Sequence, residues 1–322
     1  MAQSGTSSGG QAVARPDGLA GLNFAPPRRS LLRRILDARF YYLLLAPTFI
    51  LLILFNYYPA FNAIYQSTFK VDYGLSGTFI GLDNFRALLQ DQEFLDTIPR
   101  IIKLTVFGVV TSITVPVVVA EWIFRLRSKR SQYFYRILML WPAIVPSVVG
   151  VLIWQFIYQP DDGLLNNALR GVGLGNLAQS WLGNPDIALY AVMGSGFPFV
   201  GGFSVLVYLA GLQSISLEVF DSASIDGAHG LRRFFAIDLP LIAGQIKLNL
   251  VLSIIGNVQN FAGILILTNG GPVNSTEVPA LYMYNEAFQY GKVGYASAIG
   301  VMIFVAILLL TFVSLRYRRE AA

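Results

Sequence analysis

Six apolar stretches dominate this chain, and each has about the 20 residues that a helix needs to cross the hydrocarbon of a bilayer. They run approximately over 40–58, 101–124, 135–158, 187–212, 246–267 and 295–315. Backbone amides find no water inside hydrocarbon, so such stretches must pair their own amides as helices. The expected fold class is all-α, a polytopic membrane protein with six transmembrane helices. Composition agrees: 55% of the 322 residues are hydrophobic and 13% are charged, which is the balance of a membrane protein and not of a soluble domain.

The net charge of +5 is a topology signal, because the cations cluster beside the apolar stretches. Arg15, Arg28, Arg29, Arg33, Arg34 and Arg39 precede the first stretch. Arg125, Arg127, Lys129, Arg130 and Arg136 lie between the second and third. Arg232, Arg233 and Lys247 lie between the fourth and fifth, and Arg316, Arg318 and Arg319 follow the sixth. Seventeen of the 23 cations thus fall on one side, leaving Lys70, Arg86, Arg100, Lys103, Arg170 and Lys292 for the other. Cytoplasmic loops carry such an excess, so both termini are expected in the cytoplasm, and nucleic acid is not an expected partner. Residues 1–34 are poor in large apolar side chains and read as a disordered cytoplasmic tail. No apolar core follows a charged start there, so no cleavable signal peptide is expected. Residues 35–319 form the membrane domain, and 320–322 a short tail.

Several chemistries are excluded. The chain has no cysteine and one histidine, His229, so disulfides and multi-histidine metal clusters are ruled out. No Walker A pattern occurs; Gly291-Lys292 lacks its earlier glycine and its Ser or Thr. No nucleophile, base or metal constellation suggests a membrane enzyme. Catalytic residues, metals and cofactors are therefore not expected. An ion-coupled secondary transporter usually carries intramembrane acids or histidines. Here Glu121 stands near the cytoplasmic end of the second span, and Lys103 and Lys247 sit near span ends.

Polar and breaking residues mark places inside the spans. Pro142 and Pro146 should kink the third. Gly194, Gly196, Gly201 and Gly202 allow close approach in the fourth, and Pro198 bends it. The fifth carries Asn257, Gln259 and Asn260, amides that are costly in hydrocarbon unless paired or facing a polar cavity. Their spacing of three puts Asn257 and Asn260 on one helix face. They either bond a neighbouring helix or line a solute pathway. Outside the membrane, 60–100 reads as a glycine turn and a short helix. Segment 159–186 reads as turns and a short amphipathic helix, with Trp181 as an interfacial anchor.

The remaining patterned passage is the cytoplasmic stretch 213–243. Ser216 is a plausible N-cap, Leu217 and Phe220 share a face, and Ser222 to Ser224 are small. Gly227 suits a left-handed helix end. A second short helix should carry Leu231, Phe234 and Phe235 until Pro240 stops it. Asp221-Ser222-Ala223, three residues, Gly227, nine residues, Ile237, one residue and Leu239-Pro240 resemble the EAA loop of ABC importer permeases, E-A-A-x3-G-x9-I-x-L-P. Leu267 to Pro272, LTNGGP, and Phe79-Ile80-Gly81-Leu82-Asp83-Asn84-Phe85 are similar to elements of carbohydrate importer permeases, and the likeness extends from Phe40 to Arg319.

The resemblance implies a type I ABC importer permease fold. It implies a loop that docks on a cytoplasmic ATPase through Asp221, Ser222, Ala223, Gly227, Ile237, Leu239 and Pro240. It implies four kinds of partner: a second permease, two ATPase copies, an extracytoplasmic solute-binding protein and a sugar. It places the chain in the inner or plasma membrane. In the maltose-type subunit, sugar contacts come from a G-Y-P-Y stretch and from asparagines before LTNGGP. Those positions match Gly196, Phe199, Asn257 and Asn260 here. Phe199 stands where the family has tyrosine and Val192 where it has a further asparagine, which points away from maltose itself. A non-sugar solute such as glycerol phosphate is the alternative.

Overall fold

The computed structural model describes residues 39–73 and 77–316; the expected tails 1–34 and 320–322 lie outside them. Arg39–Gln66 is one continuous helix of 28 residues. It comprises α1 (Arg39–Leu52), a π turn over Ile53–Tyr57 and α2 (Tyr58–Gln66). It runs past the expected end near Tyr58.

From Pro59 onward the chain forms one unit. A short antiparallel ribbon, β1 (Phe69–Lys70) with β2 (Thr78–Phe79), was not expected in an all-α chain. Gly81 then turns the chain at φ 61° into α3 (Asp83–Gln90). Asn84 is buried there, and its amide donates to the carbonyls of Ser67 at 2.8 Å and Phe69 at 3.0 Å. The F-x-G-L-x-N-F element is thus a clamp on the incoming chain.

Asp91 starts α4 (Gln92–Arg125) by accepting from the Glu93 and Phe94 amides. That cap explains why this helix begins at Gln92 and not near 101. Its 34 residues span roughly 51 Å at 1.5 Å each, well beyond the hydrocarbon thickness, so its first turns stand outside. The Tyr282 and Tyr295 hydroxyls donate to Asp91 at 2.7 and 2.6 Å. Burial pushes the Asp91 carboxyl up, but those hydroxyls and the two amides outweigh it and hold it below its ordinary range.

By length and composition the described residues contain three uninterrupted spans, and up to six when each bent helix pair counts as one. In the third expected span α5 (Lys129–Leu140) passes through a 3-10 turn, Trp141–Ile144, and α6 (Ser147–Ile157) follows at 85°. Two prolines in five residues make a corner here and not a mild kink. After the short helix α7 (Leu164–Gly171), the fourth span is likewise broken. Helix α8 (Ala188–Gly194) is followed by a non-helical passage over 195–201 and then α9 (Gly202–Gln213). At Gly202 a Cβ would overlap the Met139 carbonyl oxygen, so the close approach expected of the small residues is real. Trp181 is half-buried and donates to the fully buried Asn166 at 2.8 Å.

The passage over 213–243 folds as α10 (Leu217–Ile225), α11 (Gly230–Arg233), a π turn over Phe234–Asp238 and α12 (Leu239–Leu241). Pro240 does not stop the second helix as expected. It sits in the first turn of α12, where a missing N–H costs least, and the chain bends by 70° into α13 (Ala243–Gln259). Helices α14 (Ala262–Leu267), α15 (Pro279–Phe288) and α16 (Val293–Arg316) complete the chain. Lys247 donates to the Leu315 carbonyl at 2.7 Å, placing its charge at the negative end of α16. The main core joins Val117, Ala120 and Ile123 of α4 to Val205, Tyr208, Leu209 and Leu212 of α9 and to Ile242.

Candidate functional site: a membrane cavity and the loop beneath it

Two helix breaks converge on one cavity. The fifth apolar stretch stops being helical at Asn260, whose φ of −77° and ψ of 116° are extended, and resumes at Ala262. Asn257 and Asn260 therefore do not share a helix face, contrary to the spacing argument. They meet anyway. Asn257, Asn260, Gly196 and Phe199 all line a cavity of about 460 Å³ between α4, the 195–201 break and the α13–α14 break. A volume of that order suits a small ligand.

The cavity's polar groups are amides and hydroxyls. Asn257 donates to the Ser253 carbonyl of its own helix at 2.8 Å. Asn260 is exposed; its backbone amide donates to the Asn257 carbonyl at 3.3 Å, and its side-chain carboxamide bonds no described residue. Among the described residues neither side chain hydrogen-bonds a neighbouring helix, although the Asn257 carboxamide packs against Gly108 of α4 so closely that a Cβ there would overlap it. Thr111, Ser112 and Ser195 add hydroxyls, and Ser112 is bonded to Ser253 at 2.7 Å. Phe199 adds an aromatic face at φ 60°, a left-handed backbone that is strained for phenylalanine. Its ring packs edge-on against Phe107 at 5.4 Å. Val192 also lines the cavity, where the resembling permeases carry an asparagine. Among the described residues no charged side chain lines it.

The 213–243 loop has two halves with different surroundings. Asp221, Ser222 and Gly227 are exposed, while Ala223 is 4% exposed. Leu217, Ile225, Leu231 and Phe235 project outward with 64–86% of their surface free. Ser216 takes the N-cap backbone without a side-chain bond. Gly227, at φ 72°, closes α10: the Ala228 amide donates to Ala223 at 2.8 Å and the Gly227 amide to Ser224 at 3.2 Å. That six-to-one and five-to-two pair is a Schellman end. The second half packs one face inward, with Phe234, Leu239 and Ile242 in the main core and Ile237 half-buried, while Leu231, Phe235 and Pro240 stay exposed.

Sequence reasoning missed the charges that tie this loop to the membrane. Asp238 is fully buried. Its carboxylate lies 3.3 Å from Arg233 Nε and 3.5 Å from Arg125 Nη2. Arg125 also pairs with Glu121 and donates to the Gly230 carbonyl at 3.1 Å. Arg233 lies over the Phe220 ring at 4.1 Å. The cluster links α10, the π turn and the end of α4. The available signal was an acid inside the apolar run Ile237 to Leu241, since such an acid is buried only with partners.

A family profile described as binding-protein-dependent transport system inner membrane component matches residues 112–319. The chain is 34% identical over 279 residues to the sn-glycerol-3-phosphate transport system permease protein UgpA of Agrobacterium fabrum, covering 86% of this chain and 93% of that one. It is 29% identical over 277 residues to the probable ABC transporter permease protein YurN of Bacillus subtilis, covering 86% and 94%. In fold it is similar to a chain of a bacterial ABC transporter that imports the acidic polysaccharide alginate. The TM-score is 0.80 at 24% identity, over 91% of this chain and 100% of the other.

Proposed function

Starting from the fact that this chain belongs to the binding-protein-dependent transport system inner membrane component family of ABC importer permeases, we propose that it carries an uncharged sugar or oligosaccharide through the cavity at Asn257 and Asn260. As a permease it is a multi-pass transport component and not an enzyme; ATP hydrolysis belongs to separate subunits. In this reading it pairs with a second permease and two ATPases. An extracytoplasmic solute-binding protein delivers the sugar, and both termini face the cytoplasm.

The observation that carries the substrate class is the cavity lining. Carboxamides both donate and accept, which suits sugar hydroxyls, and Phe199 and Phe107 offer flat apolar faces to a ring. The relatives named for sn-glycerol-3-phosphate favour a second reading, an anionic solute. A phosphate wants a cation or a cluster of N–H donors, and no Lys or Arg among the described residues lines the cavity.

Two measurements test this. Replacing Asn260 with alanine should lower uptake or change which sugar is carried, while assembly and binding-protein-stimulated ATP hydrolysis persist. A lost hydrogen bond to solute is expected to cost about 1 kcal/mol, roughly fivefold in affinity. An unchanged sugar profile and rate, or preferred uptake of glycerol phosphate over every neutral sugar, would overturn the reading. For orientation, single cysteines are placed in this cysteine-free chain. One at Ala87 should react with an impermeant thiol reagent from outside, and one at Ser131 should not. Ser76, the other natural choice, lies outside the described residues. Reversed labelling would put the 213–243 loop on the wrong side for an ATPase.

A further inference from the structure

A second pocket, of about 570 Å³, opens at the cytoplasmic end of the bundle, where α5 leaves the end of α4 and passes the α9–α10 junction. We propose that it holds the phosphate of an anionic phospholipid of the cytoplasmic leaflet, gripped by Lys129 and Arg136. The side of the membrane, though not the binding, rests on the proposed orientation.

Helical spacing builds the grip. Lys129, Gln132 and Arg136 stand at i, i+3 and i+7 on α5, so they share one face. Gln132 is buried and fixed, since its amide donates to the carbonyls of Phe124 at 3.2 Å and Leu126 at 2.8 Å. The neighbouring cations Arg125 and Arg233 already have carboxylates. Lys129 and Arg136 pair with no described carboxylate. The Nε of Arg136 is shut off from solvent without an acceptor. A buried donor in that state calls for an acceptor, and phosphate oxygens meet a guanidinium fork well.

The same helix says why the phosphate should belong to a lipid. Tyr133 and Phe134 are 67% and 60% exposed, followed by exposed Ile137 and Leu138. Trp122, half exposed, stacks edge-on with Tyr135 at 4.6 Å. Aromatic side chains at this density mark the headgroup level, with the apolar residues beyond them in hydrocarbon. Basic pockets at that level between membrane helices take anionic headgroups. Phe220 of α10 forms part of the wall, so a bound lipid would brace the start of the loop that meets the ATPase.

The test is native mass spectrometry of the assembled transporter, purified in detergent and supplied with phosphatidylglycerol or phosphatidylcholine. The wild type should retain phosphatidylglycerol in preference. The double variant K129Q/R136Q, and to a smaller degree K129Q alone, should lose that preference several-fold. R130Q removes one charge, as K129Q alone does, but outside the pocket lining, and should leave the preference unchanged. Inorganic phosphate at equal concentration should not displace the lipid. Equal retention in K129Q/R136Q or equal loss in R130Q overturns the site. Displacement by inorganic phosphate makes it a soluble-anion site. Loss of ATPase subunits without loss of lipid makes the cations an ATPase contact. Labelling of a Ser131 cysteine from outside would refute the orientation alone, because lipid retention by the purified complex does not depend on sidedness.

Discussion

Replacing Gly227 with tryptophan should abolish uptake while leaving the permease inserted and folded. The glycine holds φ at 72°, where a side chain is strained by about 1–2 kcal/mol. A Cβ added there meets nothing within 4 Å of its own chain, so no internal clash opposes folding. The harm falls on whatever approaches the exposed face of the loop. Alanine at this position isolates the backbone strain, and that alone should weaken the Schellman end of α10 and reduce coupling by about five- to thirtyfold. Tryptophan adds bulk beside Asp221 and Ser222 on the exposed half of the loop. Co-purified ATPase and uptake are compared for wild type, G227A and G227W. The docking role of the loop fails if G227W matches wild type in both.

Replacing Asp238 with alanine should do the opposite kind of damage. It leaves Arg233 without a carboxylate at a fully buried position, while Arg125 keeps Glu121 and the Gly230 carbonyl. Breaking a buried ion pair by deleting one partner costs about 3–5 kcal/mol. The lower end applies here, because the Arg125 and Arg233 side chains keep 38% and 22% of their surface in solvent. Asparagine should be milder, since it keeps an acceptor for Arg233. The expected result is a lower melting temperature of the purified complex, and ATP hydrolysis that no longer tracks uptake, because the loop loses its tie to α4. An unchanged melting temperature in D238A would show that the cluster holds nothing. The two variants separate contact from transmission: G227W should lose ATPase binding, and D238A should bind ATPase without driving transport.

The residues that could be placed from sequence were those whose roles depend on neighbours in the chain. The apolar stretches were legible because hydrocarbon demands a fixed length of helix. Gly227 was legible because only a few residues tolerate a left-handed end. Asn257 and Asn260 line one cavity, but not for the reason that their spacing suggested: they converge through a break at Asn260, not along a helix face.

What the sequence by itself determined is therefore a bundle of membrane helices, its charge asymmetry and a loop with a glycine-closed first helix. Each follows from spacing or local backbone preference. Pro142, Pro146 and Pro198 marked two of the bends, but only tertiary structure decided that they become breaks, at 141–146 and 195–201, and that a third lies at 260–261. It also decided that two of those breaks face the same cavity, and that Asp238 is buried between two arginines. Those outcomes depend on which distant groups satisfy an exposed carbonyl, amide or charge, and partners 45 or more residues away, such as Ser204 and Asn249, leave no mark on local pattern.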